Sequence, residues 1–237
     1  MKPLAIDLFC GLGGWTEGLL AEGFDVIGFD IERHVYGAHR YPAAMAVQDV
    51  LTLHGSQFKN AALIVASPPC QAYSYRAMPW KKAKALPPPD NGLFEACFRI
   101  QREACEAAGR HIPLVVENVR GAERWVGRAR WNFGSFYLWG DVPALMPMQS
   151  RKNTGGSWFN IGGPGQKVTG KNPVAGRKGN GGSWFGAYVP GNGTRGTGSK
   201  SKKRKFLSAV IAKIPLPLSR HIGATFHPGR AELRDAA

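Results

Sequence analysis

Ala61-Ala62-Leu63-Ile64-Val65-Ala66, followed after Ser67 by Pro68-Pro69-Cys70-Gln71, decides how the chain is read. Six apolar residues stopped by a proline pair predict a buried strand that ends at the carboxyl edge of a sheet. Open α/β sheets hold their ligands at that edge, so this reading presents Cys70 at a cleft. The prolines fix φ and remove two backbone donors, which gives the loop carrying the thiol a stiff base. A thiolate there can attack an electrophilic ring carbon. A lone cysteine after a strand also suits an apolar core position, and the rest of the chain has to decide between the two.

Upstream, Leu4-Ala5-Ile6-Asp7-Leu8-Phe9 reads as a short strand that runs into Cys10-Gly11-Leu12-Gly13-Gly14, and Trp15 to Ala21 reads as a helix with Leu19 and Leu20 turned inward. Strand, glycine turn and helix open a nucleotide-binding unit, because residues without a Cβ let the backbone approach a ligand. The glycines at 11, 13 and 14 do not form the dinucleotide pattern G-x-G-x-x-G. A second strand, Phe24 to Phe29, ends at Asp30, placed to accept hydrogen bonds from ribose hydroxyls. A third, around Ala44-Met45-Ala46-Val47, delivers Asp49 and Val50, an acid and an apolar neighbour suited to an adenine amino group and ring. Together these positions predict an adenosine site.

Beyond Cys70, residues 72–91 interleave Tyr73, Tyr75 and Trp80 with Arg76, Lys81, Lys82 and Lys84, a composition suited to a loop closing over nucleic acid or to an ordinary exposed loop. Gly92 to Ala108 has a helical pattern whose inner face is read as Leu93, Phe94, Cys97, Ile100 and Cys105. Ile112 to Val116 is the next buried strand, and parallel order brings the following Glu117 to the same sheet edge as Cys70. A carboxyl group there can protonate or hydrogen-bond a ring nitrogen while sulfur attacks the ring. Phe133 to Trp139 reads as an aromatic core strand.

The charge is one-sided. Lys and Arg total 31 against 16 for Asp and Glu, and no acidic residue occurs from Val142 to Ala231, where basic residues run from Arg151 to Arg230. Such a field attracts a polyanion, most commonly nucleic acid. Residues 154–198 are rich in Gly, Asn, Lys and Ser, and Gly-Gly-Ser-Trp-Phe occurs at 155–159 and again at 181–185, offering Trp158 and Trp184. That segment reads either as a nucleic-acid-contacting insert or as a disordered duplication. Phe206 to Ile214 resumes an apolar helical pattern, and Leu218 to Phe226 is expected to return to the main domain as a last helix. Four cysteines, at 10, 70, 97 and 105, show neither metal spacing nor disulfide density, which points to a reducing cytoplasm and to no metal. No apolar run suits a signal or a membrane span.

In order and spacing, Asp7-Leu8-Phe9-Cys10-Gly11-Leu12-Gly13-Gly14, then Pro68-Pro69-Cys70-Gln71-Ala72-Tyr73-Ser74, then Glu117-Asn118-Val119 resemble the cofactor, nucleophile and acid motifs of the DNA cytosine-5 methyltransferases, in a compact form similar to phage-borne members. The resemblance covers residues 4 to about 145 and, more weakly, 206–226. It implies a doubly wound α/β, Rossmann-like S-adenosylmethionine-dependent fold with a small basic glycine-rich insert. The expected divisions are a catalytic and cofactor domain at 1–145, a target-recognition insert at 146–205 and a returning segment at 206–237. It implies that a cytosine is flipped from double-stranded DNA, that Cys70 attacks C6, and that Glu117, with Asn118 beside it, supports N3 while C5 takes the methyl group. Phe9, Gly11, Leu12, Gly13, Asp30, Ile31, Asp49, Val50, Pro69 and Leu93 would line the cofactor. Arg76, Arg128, Arg130, Trp158 and Trp184 are the expected substrate contacts in a monomer without an obligate protein partner.

Two departures qualify this picture. The family's Arg-x-Arg pair is replaced by Tyr137-Leu138-Trp139, with Arg128-Ala129-Arg130 upstream as a substitute. The closing Gly-Asn-Ser is replaced by Ile211-Ala212-Lys213, whose lysine points to solvent or DNA phosphate, or else favours a carboxylated donor such as carboxy-S-adenosylmethionine and hence carboxymethyl transfer. A DNA-binding protein without turnover is the reading from another class, and RNA in place of DNA is the alternative substrate.

Overall fold

The computed structural model describes residues 1–74, 85, 87–147, 205–206, 209–210 and 212–230. The chain divides into two compact units, one of Met1–Tyr75, Ala83–Gln149 and Lys213–Ala237, the other of Arg76–Lys82 and Ser150–Ala212. Of the second unit only Lys205, Phe206, Ala209, Val210 and Ala212 are among the described residues, the first four of them helical. Of the expected 206–214 helix, Phe206, Ala209 and Val210 are helical, residues 212–214 are not, and 207, 208 and 211 lie outside the described residues, as do Arg76, Trp158 and Trp184.

Among the described residues, the first unit is built on seven strands: β1 Leu4–Leu8, β2 Asp25–Asp30, β3 Ala44–Val47, β4 Ala61–Ala66, β5 Leu114–Asn118, β6 Trp131–Phe133 and β7 Phe136–Gly140. They lie in the order β3-β2-β1-β4-β5-β7-β6. The pairs β1–β2, β1–β4, β2–β3 and β4–β5 are parallel, while β7 runs against both β5 and β6. The order reverses at β1 and β4, and such a switch point opens a crevice at the carboxyl ends of those strands.

Alternation along the strands divides the core into two layers. Ile6, Leu8, Ile64, Ala66, Leu114 and Val116 pack with Phe94, Cys97 and Ile100 of α2, Gly92–Ala108. Ala5, Leu63, Val65 and Val115 face the other way, toward Trp15 and Leu19 of α1, Gly14–Ala21, and toward Leu218 and Ile222 of the helix Leu216–Phe226. Burial of each large apolar side chain contributes about 1.5–3 kcal/mol, so both layers are needed to hold the sheet. A short helix, α3, spans Glu123–Val126, and a further helix, α4, spans Leu216–Phe226 and packs on α1.

The expected helix at 92–108 forms over those residues and stops at Gly109, whose φ of 64° suits a residue without a Cβ. Its inner face is Phe94, Ala96, Cys97, Ile100 and Ala104, with Leu93 and Cys105 only half-buried. Leu20 is exposed at 38%, since α4 covers the side of α1 that carries Trp15 and Leu19. The aromatic stretch 133–139 is not one strand. Gly134, with φ 63°, turns it back at Gly134-Ser135, so β6 and β7 form a hairpin.

Candidate active site

β1 delivers the glycine turn. Phe9 sits at φ 59°, a conformation that costs a bulky residue energy, and Gly11 and Gly13 follow at φ 50° and 77°. The turn is locked from several sides. Gly11 N–H donates to the Asp30 carboxylate at 2.9 Å, linking the ends of β1 and β2. A Cβ on Gly13 would come within 2.5 Å of Pro42, and one on Gly14 within 2.3 Å of the Ile214 backbone nitrogen. Above Gly11, by contrast, a Cβ would meet no protein atom within 4 Å, which leaves room against the backbone for a ligand.

Under the turn lies a buried polar chain. Thr16 Oγ1 donates to Asp7 at 2.6 Å and shares a second 2.6 Å hydrogen bond with the Tyr41 hydroxyl. Asp7 is 1% exposed, and its other carboxylate oxygen has no hydrogen-bond partner. Burial first, with a contribution from the Asp30 charge, pushes its pKa up to about 7. Asp30 goes the other way. Burial opposes its ionisation, but His34 and the Gly11 N–H outweigh that and hold the carboxyl below the ordinary range. Asp30 is thus an anionic acceptor at the mouth of the glycine turn.

Asp49 caps a short 3-10 turn by accepting from Leu51 N–H at 2.9 Å, and Val50 is buried behind it. Ile31 is exposed, Leu12 buried, and Pro69 exposed beside Cys70. These positions, with Leu93 at the first turn of α2, cluster at the carboxyl ends of β1 to β4. An anionic acceptor, an open glycine backbone and nearby apolar side chains fit an adenosyl group. Lys213 lies against Gly14, and its ammonium pairs with Glu17 of α1.

β4 and β5 deliver the second half of the site. Tyr73 and Ser74 N–H groups both return to the Cys70 carbonyl at 3.0 Å, so the thiol sits on a tight turn. The Tyr73 hydroxyl donates to Asn91 at 2.9 Å and anchors that turn to the start of α2. Asn118, 1% exposed, donates to the Pro68 carbonyl at 3.0 Å and accepts from Val119 N–H at 2.8 Å. A Cβ on Gly121 would come within 2.1 Å of the Tyr73 carbonyl oxygen, which shows how closely the two loops approach. Burial raises the Cys70 thiol, the Ser74 hydroxyl lowers it, and the charge of Glu117 raises it again. Loss of hydration pushes Glu117 up to about 8, against the opposing effect of Ser67.

Arg128 and Arg130 line a different cavity, with Gln101, His111, Trp139 and Asp141. Asp141 accepts from Leu114 N–H at 2.9 Å, at the amino end of β5, whereas Glu117 and Cys70 stand at the carboxyl ends. Among the described residues, no group of three or more His, Cys, Asp or Glu could hold a metal, and no helix is long and apolar enough to cross a membrane. The positions missed by sequence reasoning are Thr16 and Tyr41 under the glycine turn and Ser67 beside Glu117. Short polar side chains carry no periodic signal, and only the three-dimensional pairing singles them out.

Residues 4–123, just over half of the chain, match the family model described as C-5 cytosine-specific DNA methylase. Three solved structures are similar to part of the chain. A candidate DNA modification methyltransferase encoded within an E. coli prophage is 26% identical, with 53% of this chain and 35% of that one covered at a TM-score of 0.36. The S. pombe Dnmt2 methyltransferase is 17% identical, over 52% and 36% of the two chains, at 0.35. The Entamoeba histolytica methyltransferase EhMeth is also 17% identical, over 52% and 40%, at 0.34. The chain thus spans little more than a third of the length of these relatives. No curated protein sequence matches.

Proposed function

Because the chain belongs to the C-5 cytosine-specific DNA methylase family, we propose that it is a DNA cytosine methyltransferase in which Cys70 is the nucleophile and Glu117 the acid. The observation that carries this reading is the delivery of the Cys70 loop and Glu117 to one edge by neighbouring parallel strands, with the Glu117 charge acting on the thiol. N3 of cytosine is an acceptor, so the group facing it must hold a proton. A carboxyl raised to about 8 does so at neutral pH. In that state it presents no negative charge to Cys70, and the thiolate forms more readily than it would beside a carboxylate.

Flipping the target out of the duplex costs a few kcal/mol, which the basic tract from Arg151 to Arg230 can offset through phosphate contacts. The Cys70 sulfur bonds to C6 while Glu117 gives its proton to N3, leaving C5 electron-rich. S-adenosylmethionine, when bound, supplies an electrophilic methyl group for that carbon. Loss of the C5 proton and elimination across C5–C6 then free Cys70. Asp30 would accept the ribose hydroxyls, Val50 and Ile31 would flank the adenine, and Phe9, Gly11, Leu12, Gly13, Asp49, Pro69 and Leu93 would complete the pocket. The Lys213–Glu17 pair neutralises the one cation that suggested a carboxylated donor, which supports the plain methyl donor over carboxy-S-adenosylmethionine. The reading extends to a monomer acting in the cytoplasm on double-stranded DNA, with the 146–205 segment selecting the target.

The test is intact mass after incubation with S-adenosylmethionine and duplex DNA containing 5-fluorocytosine. Fluorine cannot leave C5 as a proton does, so the expected product is a covalent adduct of protein, DNA and one methyl group, absent in Cys70→Ser. DNA binding with no adduct would overturn the proposal, and an adduct one carboxymethyl heavier with the carboxylated donor would replace it.

A further inference from the structure

Ser67 follows the last residue of β4, and continuing the Ala66↔Val116 register by one step sets it opposite Glu117. By alternation both side chains fall on the face that carries Leu63, Val65 and Val115, the face covered by α1. There Trp15, 2% exposed, donates its indole Nε1–H to Ser67 Oγ at 3.0 Å. An indole N–H can only donate, and a serine hydroxyl has a single hydrogen. With the Trp15 bond fixed, that hydrogen remains for another acceptor, and Glu117 is the carboxyl opposite in register on the same face.

We propose that Ser67 is a positioning residue: its hydroxyl, oriented by Trp15, holds the Glu117 carboxyl toward the base and couples that acid to the glycine turn. The inference rests on Glu117 being the acid of the reaction. Trp15 is the second residue of α1, directly after Gly13-Gly14, so a shift of the turn is passed through the indole and the hydroxyl to the carboxyl. The sign of Ser67's influence agrees, since it favours the ionised form of Glu117. Among the described residues, Glu117 is flanked by Ser67, bonded to Trp15, on β4 and by Leu138 opposite on β7, and its charge acts on the Cys70 thiol of the loop after β4.

The test reads the protein without donor or DNA. In Glu-labelled protein followed by carbon NMR, Ser67→Ala is expected to move the Glu117 titration midpoint above its parent value of about 8 and to shift the Trp15 indole N–H resonance. Ser67→Thr, which keeps the hydroxyl, should restore both. In turnover, Ser67→Ala should lower kcat about five- to tenfold with little change in KM for the donor, the loss of one oriented hydrogen bond. A folded Ser67→Ala protein with an unmoved Glu117 midpoint would overturn the proposal, as would a moved midpoint with parental kcat. The NMR arm needs no turnover, so an inactive parent would count against the methyltransferase reading and leave the bridge to be judged separately.

Discussion

The Asn118 side-chain amide donates to the Pro68 carbonyl across 3.0 Å, tying the strand that carries Glu117 to the prolines that support Cys70. Both groups are buried, and the Asn118 oxygen also holds Val119 N–H. Asn118→Ala is expected to leave two buried backbone groups unpaired at about 1–3 kcal/mol each. Urea unfolding should record that loss, and kcat should fall because the two reactive groups are no longer held in register. An Asn118→Ala protein with parental stability would show that the clamp is not needed.

Glu117 gives stability a pH dependence of definite sign. Its folded pKa, about 8, lies above its ordinary value of 4.5, so the fold favours the protonated acid. The associated stability is fully present below the ordinary value and is lost as pH rises toward about 8. Glu117→Gln should make the fall of the urea midpoint between pH 5 and about 8 shallower, leaving the part due to Asp7, while abolishing methyl transfer. In the parent enzyme, turnover should decline as pH passes about 8 and the acid loses its proton.

Asp7 acts in the same direction at slightly lower pH. Burial raises it from 3.8 to about 7, so stability tied to its protonated form is lost as pH rises to neutrality. Asp7→Asn keeps an acceptor for Thr16 and removes the charge. It should be more stable than the parent above pH 7, with the gain absent at pH 4. Equal pH profiles for parent and variant would rule out Asp7 as a titrating group.

Two glycines, Gly18 inside α1 and Gly11 in the turn, should separate packing from ligand contact. Gly18→Ala would drive a Cβ to within 2.1 Å of Ser219 Oγ and 2.5 Å of the Arg220 nitrogen, and should cost about 1–3 kcal/mol by forcing α4 away from α1. Gly11→Ala meets no protein atom but occupies a positive φ, a cost of about 1 kcal/mol. Its larger effect should appear in calorimetric binding of S-adenosylmethionine. Donor affinity unchanged in Gly11→Ala would remove the glycine turn from the cofactor site.

Much of this arrangement is legible in the chain because it depends on short-range patterns. The run Ala61–Ala66 announces its own burial, and Gly109 marks the end of the helix that Phe94, Cys97 and Ile100 orient. Glu117 and Cys70 can be placed at one edge from parallel order alone. What the sequence hides is pairing at a distance. Trp15 reaches Ser67 across 52 positions, and Thr16 reaches Tyr41 across 25, through polar side chains with no period of their own. The hairpin at Gly134-Ser135 is masked by aromatics on both sides, which read as one strand until the glycine's conformation is known.

The helix pair α1 and α4 has a consequence for biosynthesis. Glu17 meets Lys213 across 196 positions, and Glu22 meets Arg220 across 198. At roughly 5–20 residues per second, the ribosome needs about 10–40 s between making one partner and the other. For that interval the nascent α1 has no α4 to cover Trp15 and Leu19. The glycine turn is thus translated well before the helix that completes its packing, and during that interval its apolar neighbours are open to a chaperone.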